Sequence, residues 1–74
     1  MTVCIGKTYR LSDRSGKVTV VSIVSEDLAK KFDIEYPVTA YYPSGIGMQF
    51  KRDGSDSKPT PGTHGSKPVR SLVE

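Results

Sequence analysis

The run KVTVVSIVS, residues 17–25, constrains the fold more than any other part of this chain of 74 residues. It is dominated by β-branched residues, which favour strands. Its alternation slips in the middle: Val18 and Val20 share one face, as expected for a strand. The next apolar pair, Val21 and Ile23, lies on the other face. The slip predicts either a strand buried on both faces or a β-bulge, and we favour the bulge because a bent strand lets short segments curl into a barrel.

Residues 36–54, YPVTAYYPSGIGMQFKRDG, are typical of a β-hairpin. The first arm alternates from Val38, the second alternates up to Phe50, and the Pro-Ser-Gly at 43–45 supplies the turn. Pairing the arms gives one apolar face and one polar face. The polar face carries Tyr41, Gln49 and Lys51.

A strand over residues 7–11 is predicted before the bulged strand, and one short helix is predicted after it. Ser25 is predicted to cap a helix over Glu26–Phe32, with acidic residues in its first turn and lysines in its last. Leu28 and Phe32, four residues apart, would share one face. Two isolated turns are unstable, so we expect this helix to pack over an open end of the barrel.

The segment GSDSKPTPGTHGSKP, residues 54–68, is rich in Gly, Pro and Ser and contains almost nothing that could be buried. It predicts a flexible or irregular loop of unusual length. Apolar character returns in residues 69–73, which either form a closing strand or belong to a tail, and we favour the strand. Residues 1–74 are therefore predicted to form a single, mainly β domain: a small barrel or strongly bent antiparallel sheet of about five strands, with one short helix.

Cys4 is the only cysteine, which excludes intrachain disulfides and cysteine-based zinc sites. We interpret it as a small, half-buried apolar residue, and a lone thiol is typical of a reducing compartment. The first ten residues have no signal-peptide layout, and no run approaches the roughly 20 apolar residues of a membrane span. We expect a cytoplasmic protein that does not associate with a membrane.

No catalytic, metal-binding or cofactor motif is recognisable. Cys4 and His64 would be a nucleophile and its base, but no third group is identifiable to orient them. We interpret His64 as exposed and unliganded. The glycines at 45 and 47 open no helix, so they lack the mechanics of a phosphate-binding loop. We expect a protein that is not an enzyme and holds neither cofactor nor metal.

The net charge of +3 is unevenly distributed: both ends of the chain are basic and the middle is slightly acidic. This distribution favours weak attraction to phosphate groups or to an acidic protein surface. It lacks the concentrated basic stripe of a dedicated nucleic-acid-binding protein.

The order of three segments, GKTYRLSDRSGKVTVVSI, YPVTAYYPSGIGMQFKRDG and KPVRSL, resembles the small, mostly β accessory proteins of tailed bacteriophages. In that pattern a Tyr-Pro strand leads through a turn into a strand ending in Asp-Gly, and an Arg-Ser-Leu segment closes the chain. Strand number and turn spacing also resemble SH3-like small barrels. The resemblance implies a phage-encoded protein that binds and modulates or inhibits a host protein in the host cytoplasm, and it supplies no catalytic residue.

The first functional hypothesis is therefore a non-enzymatic protein that binds a host protein. It would use the exposed face of the hairpin, because tyrosine and arginine commonly anchor protein interfaces. The predicted partner-binding residues are Tyr41, Gln49, Lys51 and Arg52.

The alternative is sequence-tolerant binding of nucleic acid, since sheet-borne aromatics beside basic residues stack bases and hold phosphates. Its predicted residues are Tyr9, Arg10 and Lys17. A homodimer is a further alternative, because a short open sheet has edges that need covering.

Overall fold

The computed structural model describes residues 2–58, 61–62, 65–66 and 70–74. Its main feature is a sheet of five antiparallel strands, in the order β4-β3-β2-β1-β7, that curls through 198° into a half-barrel. Two further strands of two residues each form a separate two-stranded sheet. The elements in chain order are β1 (Thr8–Leu11), β2 (Lys17–Ile23), α1 (Glu26–Lys31), β3 (Val38–Tyr41), β4 (Gly47–Phe50), β5 (Pro61–Gly62), β6 (Gly65–Ser66) and β7 (Leu72–Val73). The prediction of a strongly bent, five-stranded antiparallel sheet with one short helix is confirmed.

The bend of β2 comes from a break in its pairing with β3. Val20 pairs with Ala40, but the next pair is Ser22 with Thr39, so Val21 is the extra residue of a β-bulge. A bulge increases local twist and bends the strand that carries it. The predicted bulge is confirmed at the predicted place.

The predicted hairpin is formed by β3 and β4, with Val38 opposite Phe50 and Tyr41 opposite Gly47. In the turn, the amide of Gly45 donates to the carbonyl of Tyr42 at 2.9 Å. Gly45 has a φ of 94°, a conformation that glycine adopts without steric cost.

The core lies on the concave face of the half-barrel, where alternate residues of every long strand meet. Each of these side chains is less than a tenth exposed. The buried apolar residues are Val3, Tyr9, Leu11, Val18, Val20, Val38, Ala40, Phe50 and Leu72.

The helix forms where predicted but does not pack where predicted. The Ser25 side chain accepts a hydrogen bond from the amide of Leu28, which confirms the cap. However, α1 has no buried residue and contacts none of the strands, and Leu28 and Phe32 are 48% and 63% exposed. The prediction that α1 covers an open barrel end is wrong, since the helix buries no residue and lies apart from the strands. The amide of Val24 donates to the carbonyl of Pro37, so residues 25–36 leave and rejoin the sheet at one point.

The C-terminal strand closes one edge of the sheet, since Leu11 pairs with Leu72 and Arg10 with Val73. The predicted return to the sheet is confirmed for β7, while Val69 lies outside the described residues.

Residues 54–58, the first part of the predicted loop, span the gap between β4 and β7. Ser57 is bridged to Phe50 and is only 3% exposed, and the amide of Leu72 donates to the carbonyl of Gly54 at 2.8 Å. The expectation was that almost nothing in this segment could be buried, and Gly54 and Ser57 are the buried residues among 54–58. The prediction for His64 lies outside the described residues.

Candidate functional site: the outer sheet surface

The convex side of the sheet, opposite the core, presents a surface of polar, basic and aromatic side chains. Strand register aligns these side chains in rows. Thr8 is opposite Thr19, and Thr19 is opposite Tyr41. The hydroxyls of the two threonines lie 2.8 Å apart, which confirms that they share a face. We call this surface the outer face; its residues are Thr8, Arg10, Lys17, Thr19, Thr39, Tyr41 and Gln49.

Tyr41 is the exposed aromatic residue of the outer face, with 42% of its surface accessible. Its ring lies against the backbone of Gly47, the residue opposite it on β4: a Cβ atom at position 47 would stand 3.0 Å from Tyr41 Cε1. An aromatic ring that covers a cross-strand glycine shields the exposed backbone there. The glycine thus positions the ring, while the outer side of the ring stays available.

The structure brings two of the four predicted partner-binding residues together on the outer face. Gln49 is half-buried opposite Thr39, one row from Tyr41. Lys51 lies just beyond the end of β4, where its ammonium is 3.5 Å from Asp56 Oδ2. It therefore belongs to the edge of the surface.

Arg52 is placed elsewhere. Its guanidinium donates to the carbonyl of Val24 at 2.8 Å, which ties the end of β2 to the segment after β4. The side chain is half-buried and borders a hollow that Val3 and Glu35 also line. Arg52 therefore has a structural hydrogen bond and does not join Tyr41.

Of the residues predicted for nucleic-acid binding, Arg10 and Lys17 lie directly opposite each other on the outer face. Tyr9 points the other way. It pairs with buried Val18, is 1% exposed, and its hydroxyl accepts a hydrogen bond from the amide of Cys4 at 2.9 Å. The expectation that Tyr9 stacks on bases is corrected: strand alternation places its ring in the core.

Cys4 itself is exposed, and its thiol forms no disulfide, which corrects its interpretation as a half-buried apolar residue. Its backbone, not its side chain, makes the contact with Tyr9. Within the described residues, no three His, Cys, Asp or Glu side chains come together as a metal site would require.

A basic hollow of about 410 Å³ lies beside the β1–β2 turn, and sequence reasoning did not predict it. Arg14, at the tip of the turn with a φ of 62°, joins Arg10 and Lys17 at this hollow. The signal was present in the sequence, because a basic residue lies in the turn segment SDRSG between two basic strand ends. The seven residues that line the hollow, which we call the cationic hollow, are Arg10, Leu11, Ser12, Arg14, Gly16, Lys17 and Val73.

A polar cluster fastens the C-terminal segment to two turns of the sheet. Arg70 forms an ion pair with Asp13 without the alignment of a hydrogen bond, and its Nη1 donates to the hydroxyl of Tyr42 at 3.1 Å. Hydrogen bonds from Ser15 are the largest cause that lowers the pKa of Asp13 below its ordinary 3.8, and the charge of Arg70 adds to it. We call Asp13, Ser15, Tyr42 and Arg70 the clasp.

Comparisons of the chain with protein-family models, with curated proteins and with solved structures found no match. The resemblance to phage accessory proteins therefore stays a prediction. None of the helices in the described part of the chain is long and apolar enough to cross a membrane.

Proposed function

We propose that the protein is a non-enzymatic binding module that docks on a partner protein through the outer face. The observation that carries this proposal is the placement of Tyr41: it is exposed, it is paired on both sides by neighbouring strands, and Gly47 positions its ring. A side chain that is ordered before binding loses little conformational entropy when it is buried in an interface.

The surroundings of Tyr41 fit an interface anchor. Its neighbours Thr19, Thr39 and Gln49 are polar and uncharged; Arg10 and Lys17 lie in the next row, and Lys51 lies beyond the strand end. Charged residues are depleted at interface centres, whereas tyrosine is enriched at the positions that contribute most to affinity. Lys51 is then a residue of the interface rim.

The accessible surface of the whole protein is large enough for one such interface. A standard interface buries roughly 800 Å² of each partner. The protein has 5086 Å² of accessible surface, so one interface of this size covers about a sixth of it. The resemblance to phage accessory proteins predicts a bacterial host protein as the partner, with modulation or inhibition of that protein as the outcome.

The experiment is affinity capture of the tagged protein from a bacterial lysate, with and without nuclease, followed by titration of the purified partner. Tyr41→Ala should weaken binding about 30-fold, the loss expected of a 2 kcal/mol interface anchor. The matched control is Phe32→Ala, which removes an exposed aromatic ring outside the outer face, at the end of α1. Thermal melts of both variants establish that each remains folded.

Three outcomes would overturn this proposal. Capture that disappears with nuclease would show that the ligand is nucleic acid. Equal affinity of Tyr41→Ala and the parent would exclude the outer face as the docking surface. Loss of binding in Phe32→Ala alone would move the interface to α1.

Sequence-tolerant binding of nucleic acid is the second candidate function. The observation that favours it is the convergence of Arg10, Arg14 and Lys17 at one hollow, although Tyr9 is no longer among its residues. Its test is the dependence of oligonucleotide affinity on salt, because binding driven by released counterions weakens steeply as salt rises. An affinity that does not change with salt removes this candidate.

A further inference from the structure

The cationic hollow has a basic rim and an apolar floor. The rim is formed by Arg10, Arg14 and Lys17, all exposed. The rest of the lining, which we call the floor, includes Val73, which is 38% exposed, and Gly16. Its volume of about 410 Å³ falls within the range of small-ligand sites, roughly 300–1,000 Å³.

The positive charges of Arg14 and Lys17 are not neutralised locally. Among the residues that the structure describes, no acidic one lines the hollow. The nearest acid in sequence, Asp13, is occupied by the amide of Ser15 and by Arg70. Within the described part of the chain, the side chains of Arg14 and Lys17 make neither an ion pair nor a hydrogen bond.

Arg10 differs from its two neighbours because it already has a partner. Its Nη2 donates to the backbone carbonyl of Glu74 at 2.9 Å, which holds the guanidinium at the rim. The other donors of this guanidinium remain, since arginine carries five N–H groups. Arg10 is thus oriented before any ligand arrives, whereas Arg14 and Lys17 supply charge.

We propose that the cationic hollow binds a nucleotide, with its phosphate on the rim and its sugar and base over the floor. Two guanidinium groups and an ammonium match the charge and the fork geometry of a phosphate. An apolar floor would not stabilise a bare inorganic ion, but it can pack against a sugar or a base. A guanidinium can also stack on a base. The ligand class rests on the second candidate function, and none of the residues involved belongs to the Tyr41 anchor.

The test is a set of titrations followed by the NMR shifts of the Gly16 amide and the Val73 methyl groups. The probes are inorganic phosphate, thymidine monophosphate and a short oligothymidine. Thymidine monophosphate should shift both floor residues and should bind more tightly than phosphate. Phosphate that binds as tightly as the nucleotide would overturn the proposal, because the floor would then contribute nothing.

The variants are Lys17→Gln and Arg14→Gln, with Lys30→Gln as the control. Lys30 is an exposed lysine of α1 outside the hollow, so this control makes the same change of charge. Each rim variant should weaken nucleotide binding about fivefold or more, since a hydrogen bond between charged groups is lost. A Lys17→Gln effect no larger than that of Lys30→Gln would contradict the proposal. The dispersed amide shifts of core residues show whether each variant folds.

The oligothymidine titration shows whether the ligand is a free nucleotide or part of a nucleic-acid strand. It also tests the nucleotide site separately from the proposed nucleic-acid function. If a strand is the ligand, its affinity should fall with salt at a log–log slope of about −2, the value for three phosphate contacts on a single strand. If it binds no more tightly than the mononucleotide, a free nucleotide is the ligand, and the nucleic-acid function fails while the site stands. Oligothymidine binding that leaves Gly16 and Val73 unshifted would overturn the site and leave the nucleic-acid function standing.

Discussion

The ring of Tyr41 lies against Gly47 so closely that a methyl group at position 47 would stand 3.0 Å from Tyr41 Cε1. The two residues are directly opposite on β3 and β4. Because Gly47 has no side chain, the ring of Tyr41 lies over its backbone and is positioned there. Tyr41 is exposed, so the ring has room to move outward when this space is filled.

Gly47→Ala should therefore displace the Tyr41 ring without unfolding the sheet. Alanine has a better strand propensity than glycine, so the free energy of unfolding should change by less than about 1 kcal/mol. Partner affinity should fall several-fold, because the anchor is no longer held in place. Thermal melts measure the stability, and titration of the captured partner measures the affinity.

The control for this variant is Thr39→Ala, on the same face but one row away from the pair of Tyr41 and Gly47. It should leave the affinity within about twofold, as expected of the near-neutral residues around an interface anchor. If Gly47→Ala binds as tightly as the parent, the fixed position of the ring has no role in docking.

Tyr42→Phe tests the clasp that fastens the C-terminal segment. The hydroxyl of Tyr42 accepts a hydrogen bond from Arg70 at 3.1 Å, so its removal should cost about 1 kcal/mol. For a domain of this size that corresponds to a fall in the unfolding midpoint of about 4–8 °C. The Leu72 amide, which donates to Gly54, should exchange faster because β7 opens more easily.

Tyr36→Phe is the matched control for the clasp. Tyr36 is also half-buried, and its hydroxyl has no hydrogen bond within the described residues. The same chemical change there should leave both the midpoint and the Leu72 exchange rate near those of the parent. Equal effects of the two variants would contradict a specific role for the clasp.

Acid should destabilise the protein through two aspartates with lowered pKa. In both, hydrogen bonds from the serine two residues later are the first cause: Ser15 for Asp13 and Ser55 for Asp53. Because the folded pKa lies below the ordinary 3.8, this stabilisation is fully present above about pH 5 and is lost as pH falls through the folded pKa. Unfolding midpoints measured across this range should fall towards low pH.

The double variant Asp13→Asn and Asp53→Asn should show a flatter pH dependence below about pH 4 than the parent. The asparagine side chains keep an acceptor for the serine amides, which preserves the turns. A pH profile that is as steep as that of the parent would show that other groups cause the acid sensitivity.

Much of the sheet could be predicted because local patterns and the final fold agree. The slipped alternation around Val20 and Val21 encodes the bulge, and the alternation on either side of residues 43–45 encodes the hairpin register. The outer position of Tyr41 follows from the same alternation. These features depend on neighbours in sequence, which is why the sequence alone is sufficient.

The remaining features depend on contacts between distant segments. The position of Gly54 depends on β7, since the amide of Leu72 donates to its carbonyl, whereas the burial of Tyr9 is an exception that alternation with Leu11 along β1 already indicates. The cationic hollow needs β7 beside the β1–β2 turn, because Val73 forms part of its floor. The helix was predicted to pack because its two apolar residues share a face, but Leu28 and Phe32 are exposed and no strand lies against them.

The end of α1 offers a test of how this unpacked helix is held. Asp33 has a φ of 53°, and the Ile34 amide donates to the carbonyl of Ala29 at 2.8 Å, so the helix ends in a Schellman motif with aspartate in the usual glycine position. Asp33→Gly removes both the backbone strain and a negative charge at the helix C-terminus, worth about 1 kcal/mol together. Because α1 contacts no strand, the gain should be local.

The expected result is about fivefold slower exchange of the Ile34 amide in Asp33→Gly, with little change in the global unfolding midpoint. The matched control is Asp27→Gly, which removes the same side chain from the first turn. In the first turn a carboxylate stabilises the helix and glycine destabilises it. Exchange of the Phe32 amide, which donates a hydrogen bond to the carbonyl of Leu28, should therefore accelerate. A global midpoint that rises by several degrees in Asp33→Gly would instead show that α1 is coupled to the sheet, because a helix without packing cannot transmit its own stability to the core.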